Sequence, residues 1–428
     1  MSTPTEENIL TLASTILSKT QELSTFFTSN SLPLLTFSSS PLPPFSTDPI
    51  YRNLQGTLRT LLSDLTLLID GPSETIRQLS FRPQDTAAFQ LAIECNLFTI
   101  IPLSDSLPLS EISLKSGLDP NRTGRILRFL ATNRFFVETS PDYFAHTAFS
   151  AEIARDESSR AMLGLACGEL FQAAAESYNG IDTKQEDAMH CPWFKRFGVS
   201  MYEYYAINPD KAERFAKAMV GFAKSESSVT NVVLELFDWK GKIKQGGIVV
   251  DVGGGNGHVS MELAEAFAHL RFVVQDQNED MIEQGREIAT TKKLGDRFSF
   301  EKADFFEPQT VRGASGFFLR QCTHNWGDKE VVKIFKALVP GLEGAVDPEG
   351  TPLLINECVL PELGAMPRYS ERDVRMRDFA MLINGGSKER TRGDFEALLK
   401  EADPRYEIVN VLNHEGGAMS LLEVYLMK

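Results

Sequence analysis

A chain of 428 residues, 42% hydrophobic and 24% charged, is too long for one core and has the composition of a globular protein of two or three domains. Its 43 basic against 58 acidic residues leave a formal net charge of −15, which argues against non-specific binding to nucleic acid or to an anionic membrane. Cys95, Cys167, Cys191, Cys322 and Cys358 show no paired spacing, so reduced thiols and a cytoplasmic protein are expected, and no secretion signal or membrane-spanning run is evident.

Residues 6–28 are predicted as a helix with Ile9, Leu12, Ile16, Leu17 and Leu23 on its apolar face. A Pro/Ser-rich connector follows at 38–46, which cannot be helical. A second helix, 49–70, carries Leu54, Leu58, Leu61, Leu62, Leu65 and Leu68. Two such helices within a 1–84 segment predict packing against another domain or another chain. Residues 85–150 predict a compact helical domain with a small wing. Its helices are expected at 87–98, 110–117 and 120–133, and its hairpin at 135–139 and 143–146. That order is a winged-helix pattern, and Arg122, Arg125, Arg128 and Arg134 keep DNA binding open as a function. Residues 151–240 read as mostly helical. There Phe215 and Met219 lie in a stretch whose helical spacing suits either core or the wall of a pocket for a flat apolar ligand.

From 241 to 428 strand and helix alternate, with strands predicted at 248–252, 271–275, 298–302, 315–320, 352–358 and 418–427. This is the pattern of a doubly wound, Rossmann-like α/β domain. The first strand opens into Asp251-Val252-Gly253-Gly254-Gly255-Asn256-Gly257-His258, a strand-to-helix turn. A dinucleotide fingerprint fails there at His258, and a phosphate-binding loop lacks its Gly-Lys-Ser/Thr. What fits is an acid followed by Gly253, Gly255 and Gly257. Bare backbone lets a ligand approach closely, and Asp251 suits a cationic or amino-bearing one. Asp276 ends the second strand, where an acid can accept from both ribose hydroxyls. Asp304 and Phe305 end the third, suitably placed for an adenine amino group and ring.

After the fourth strand, His324 falls on the same rim as the glycine turn, with Asp328 suited to cap the next helix. A rim histidine can act as a general base or stand as a structural residue beside Trp326. Glu357, at the end of the fifth strand, and Glu389, on a Gly-rich loop before a helix at 392–401, favour the base. Flanking carboxylates fix an imidazole tautomer and hold the imidazolium.

Together these motifs resemble the class I S-adenosylmethionine (SAM) methyltransferases, and residues 190–428 resemble the O-methyltransferase family 2 of plant and fungal small-molecule metabolism. The likeness rests on the turn at 251–257, Asp276, Asp304-Phe305 and Arg320. It rests further on His324-Asn325-Trp326-Gly327-Asp328, Asn356-Glu357-Cys358-Val359-Leu360-Pro361 and Gly385-Gly386-Ser387-Lys388-Glu389-Arg390-Thr391. It implies SAM as cofactor without a metal, and His324 as catalytic base between Glu357 and Glu389. Arg320, usually Lys, would lie by the adenine. Met381 and Asn384 would face the substrate, with Asn325, where Asp is commoner, beside the base. The run at 85–150 resembles the family's winged-helix dimerisation domain, so a homodimer is expected, with no nucleic-acid or membrane partner. The long N-terminus looks like that of fungal polyketide-type members, while Gln275-Asp276-Gln277 replaces the usual Asp-Leu-Pro. The implied reaction is methyl transfer to a phenolic or enolic hydroxyl of a small aromatic or polyketide-type metabolite. Two alternatives stay open: a SAM-assisted pericyclic or dehydration reaction, and a SAM-responsive winged-helix DNA-binding protein.

Overall fold

The computed structural model describes residues 8–33, 35–37, 48–181, 187–225, 229–344, 350–414, 417 and 419–427; the predicted connector at 38–46 lies outside them. The chain divides into two compact units, Met1–Ile181 with Pro192–Ser227, and Asp182–Cys191 with Ser228–Lys428.

In the first unit, the Asn8 side chain caps helix Ile9–Ser29 by accepting from the Thr11 amide. Helix Pro49–Glu94 is two helical stretches meeting at Gly71, whose φ of 67° is left-handed and stops the first stretch where the sequence predicts. The second stretch starts at Pro72, well before the predicted 87, because proline fits a first helical position. Strands β1 (Leu107–Pro108), β2 (Phe136–Ser140) and β3 (Tyr143–His146) form an antiparallel sheet in the order β1-β3-β2. Helices Leu109–Ser116 and Pro120–Thr132 share a core with it through Ile112, Leu127, Leu130, Phe136 and Phe144. Two of the arginines that kept DNA binding open are already paired. Arg122 bonds Asp119 at 2.7 Å, and Arg128 bonds Glu138 at 2.6 Å and Asp142 at 2.7 Å. On helix Pro209–Ser225, the Phe215 ring stacks on Tyr205 at 4.4 Å, whereas Met219 is exposed.

The second unit is built on one sheet. Its strands are β4 (Ile248–Val252), β5 (Arg271–Asp276), β6 (Phe298–Lys302), β7 (Gly316–Arg320), β8 (Leu353–Leu360), β9 (Arg390–Thr391), β10 (Tyr406–Asn413) and β11 (Met419–Leu426). The order is β10-β11-β8-β7-β4-β5-β6, with β9 paired to β8. Strands β6, β5, β4, β7 and β8 run parallel, while β11 and β10 close one edge antiparallel. Neighbouring parallel strands need helical crossovers, so both faces are covered and the strands read as apolar runs. Val250, Val252, Phe317, Leu319 and Ile355 face one side with helices Asp328–Glu343 and Arg392–Ala402. Val249, Phe272, Val274, Phe318 and Leu354 face the other with helices Val229–Leu236, His258–Ala266 and Glu279–Thr291.

Chain order reverses beside β4, which has β5 on one side and β7 on the other, so the turn after β4 opens at the switch point of the sheet. Four features depart from the sequence reading. Glu357 is not the end of its strand, for β8 continues to Leu360 and pairs Val359 and Leu360 with β9. Asp328 is the first residue of helix Asp328–Glu343 rather than its cap; the cap is Gly327. Helix Arg368–Gly385 and strand β10 had no counterpart among the predicted elements.

Candidate active site

The turn after β4 is shaped by left-handed glycines. Gly253, Gly255 and Gly257 have φ of 69°, 58° and 74°, a region that side chains with a Cβ avoid. At Gly253 a Cβ would stand 2.9 Å from Cys322 Sγ and 3.3 Å from the Phe305 ring, so only bare backbone fits. Beneath the turn, Asp251 is buried and accepts the Ser260 hydroxyl at 2.6 Å. Burial pushes its carboxyl up to about 6, against the pull of Ser260 and of Arg320. Asp276 closes the turn from the neighbouring strand. Its Oδ2 accepts the Gly255 amide and its Oδ1 the Asn278 amide, each at 2.9 Å. Each oxygen keeps a lone pair, so the carboxylate is fixed and can still accept from a diol.

Next to it a cavity of about 180 Å³ is lined by Gly253, Gln275, Asp304, Phe305 and Gln309, among others. Asp304 is exposed, and its Oδ1 accepts the Phe306 amide at 2.9 Å. Phe305 and Phe306 meet edge to face at 4.9 Å, and Trp326 stands edge-on to Phe306 at 4.9 Å. The glycine turn, Asp276, Asp304 and Phe305 therefore share one rim. With glycine backbone bare of side chains, a fixed carboxylate and an aromatic-lined cavity, they fit a nucleoside bearing a charged tail. Arg320 ends β7 on the same rim, and its charge acts on Asp251.

The loop after β7 carries the histidine. Gln321 takes a left-handed φ of 47°, uncommon for a residue with a side chain, and this reverses the chain. The amides of Cys322 and Thr323 then donate to Glu357 Oε1 at 2.9 and 2.7 Å, and the Thr323 hydroxyl adds a third bond at 2.7 Å. With Oε1 so engaged, Glu357 Oε2 lies 3.3 Å from His324 Nδ1, and Glu389 Oε1 lies 3.3 Å from the same nitrogen. Glu357 and Glu389 are nearly inaccessible, whereas the His324 side chain is 16% exposed. Burial by itself would lower the imidazole pKa. The Glu357 charge and the Glu389 contact outweigh it and hold His324 above its usual 6.5. Burial in turn raises the Glu389 carboxyl, partly offset by its contact with His324. Nδ1 is committed to carboxylates, which leaves Nε2 as the nitrogen able to exchange a proton. Donor atoms of the trio lie within 4.8 Å of one another, close enough to meet at a cation as well.

Glu389 is set by helix Arg368–Gly385, since its amide donates to Asp378 Oδ1 at 3.0 Å. Met381 is half-buried on that helix, and its carbonyl accepts from Ser387 at 3.3 Å. Asn384 is buried, and its Oδ1 has no hydrogen-bond partner among the described residues. Asn325 donates weakly to the Gln321 carbonyl at 3.4 Å. His324, Glu357 and Glu389 thus meet. The cofactor-side candidates line the same rim, and Phe215 and Met219 belong to the other unit. The sequence reading assigned no part to Gln321, Cys322, Thr323 or Asp378. Backbone donors and a left-handed residue leave no signature in residue type.

A family model described as an O-methyltransferase domain matches residues 178–404. An O-methyltransferase of Alternaria solani, sol2, is 44% identical over 429 aligned positions, covering 99% of this chain and 96% of its own. A chlorophenol O-methyltransferase of Trichoderma longibrachiatum is 30% identical, covering 98% of this chain and 90% of its own. In fold, the crystal structure of OxaC in complex with sinefungin and meleagrin matches with a TM-score of 0.77 at 21% identity, covering 98% of both chains.

Proposed function

The chain belongs to the O-methyltransferase family and is a SAM-dependent O-methyltransferase acting on small molecules, and on that premise we propose that it methylates a phenolic or enolic hydroxyl with His324 as general base. The observation that carries this reading is the convergence of Glu357 and Glu389 on His324 Nδ1, at 3.3 Å each; in this reading Nε2 takes the proton of the acceptor hydroxyl. In this reading the Gly253–Gly257 turn and Asp251 hold the charged tail of SAM, Asp276 the ribose, and Asp304, Phe305 and Arg320 the adenine. The bound cofactor supplies a methyl group on a sulfonium, which is electrophilic and leaves readily.

The chain's own part is to orient the acceptor and remove its proton. Phenol and imidazole differ by about 3.5 pKa units, roughly 4.8 kcal/mol. Raising His324 narrows that gap, and the flanking carboxylates hold the imidazolium once it forms. Asn384, whose buried Oδ1 has no partner among the described residues, and Met381 orient the acceptor, and Asn325 completes the substrate side within this unit. The Trichoderma relative, a chlorophenol O-methyltransferase, supports a phenolic acceptor. A trio built around one proton-accepting nitrogen favours methyl transfer over a reaction in which cofactor charge alone acts. The pairing of Arg122 and Arg128 with acids weighs against a DNA contact.

Replacing His324 with Ala is expected to lower kcat by about two orders of magnitude or more, with SAM affinity within about twofold. Single-turnover kinetics and calorimetric SAM titration read both, and near-normal turnover would remove His324 from its role.

A further inference from the structure

A buried guanidinium stands behind the site, and none of the chemistry above uses it. Arg390 directly follows Glu389, and its side chain is fully inaccessible. Its Nε and Nη2 donate to Asp328 Oδ1 at 3.0 and 2.8 Å. Nη1 donates to the Thr323 carbonyl at 2.9 Å and, more weakly, to that of Lys388 at 3.4 Å. Nη2 also donates to the Trp326 carbonyl at 2.8 Å. Thr323, Trp326 and Asp328 are the residues that bracket His324. From the other side, Glu357 takes the amides of Cys322 and Thr323 and the Thr323 hydroxyl. Thr323 is therefore held at both its amide and its carbonyl, one residue before the imidazole. Pairing of Arg390 with Val359 fixes the backbone of β9 at the same point.

Burying a guanidinium is costly unless its donors are matched, and a cap or an apolar contact would start helix Asp328–Glu343 with less desolvation. Here the donors are spent on carbonyls of the loop that bears the base.

We propose that Arg390, anchored by Asp328, is a positioning residue that clamps the His324 loop between β8 and β9, so that Nδ1 meets both carboxylates. The proposal rests on the reading of His324 as the base. Lysine at this place would present a compact charge on a flexible stem. It cannot hold a carboxylate and separate carbonyls in one rigid plane.

The test compares Arg390→Lys, Asp328→Asn and His324→Ala on two acceptors, a monochlorophenol and pentachlorophenol, the latter already ionised at neutral pH. A residue that acts through the base matters less when the acceptor needs no base. For monochlorophenol, Arg390→Lys and Asp328→Asn are expected to lower kcat at least about tenfold, the cost of a small misplacement. For pentachlorophenol the loss should shrink to about threefold or less, with KM and SAM affinity within about twofold on both acceptors. If Arg390→Lys does not fold by circular dichroism, Asp328→Asn carries the test, because Asp328 is 43% exposed and keeps its shape as Asn. Equal losses on both acceptors, or a loss confined to KM, would overturn the clamp. A His324→Ala defect that fails to shrink with pentachlorophenol would overturn the base itself. Shrinkage there but not in the other variants would overturn the clamp alone.

Discussion

Among single residues, the protonation of His324 decides whether the site can act as a base. Glu357 and Glu389 favour the imidazolium, so the histidine titrates above 6.5. A general base must be neutral, so kcat/KM for a weakly acidic phenol should rise with pH and level off above that raised value. Glu389→Gln removes one of the charges that raise it. The acid limb should therefore move to lower pH, while turnover on the plateau falls about tenfold or more as the imidazolium loses a partner. A limb that stays in place or moves up would detach Glu389 from the histidine. Asp251 gives a second pH signature. Its carboxyl is pushed up to about 6, and a cationic tail prefers the ionised form, so SAM affinity should fall as pH drops through about 6. The same trio has the spacing of a metal site. Turnover is expected to survive exhaustive chelation, and a loss restored by a divalent cation would reassign these groups as ligands.

Among the elements, the glycine turn and its parallel sheet were legible because residue type alone encodes them. β-Branched runs mark the strands, glycines mark the turn, and both follow from backbone sterics. The ends of elements were less legible. Asp328 looks like a cap by type and spacing, yet it is taken by Arg390 and Lys388, partners 60 or more positions away. Glu357 reads as a strand end where the apolar run stops, but its strand gains further residues from pairing with β9. Gly386 belongs to this class as well. Its φ is 55°, and a Cβ there would stand 2.2 Å from the Asp187 carbonyl oxygen, a contact that no local pattern announces. Gly386→Ala should lower stability by about 1–3 kcal/mol, read by denaturant titration. It should also depress kcat, because the loop to Glu389 starts there. A neutral effect on both would mean the loop relaxes freely.

For the whole molecule, the two helical stretches of Pro49–Glu94 leave Leu62, Leu68, Ile69, Ile76, Leu79 and Phe81 exposed in a single copy of the chain. Scattered apolar residues are ordinary, but exposed apolar residues gathered on both stretches that meet at Gly71 are what an interaction surface presents. The expected occupant is a second copy, and light scattering should give about twice the chain mass of 47.6 kDa. Ile69→Asp with Ile76→Asp should return the monomer, and an unaltered mass would place the interface elsewhere. What the intact protein does with its cofactor is read by following a methyl label. The protein would be incubated with methyl-labelled SAM and a mixed panel of phenols and enols, and label followed by mass into small molecules. Label is expected on the oxygen of an acceptor hydroxyl, released with S-adenosylhomocysteine. A protein that binds SAM, transfers no label, and yields an unlabelled rearranged or dehydrated product would contradict it.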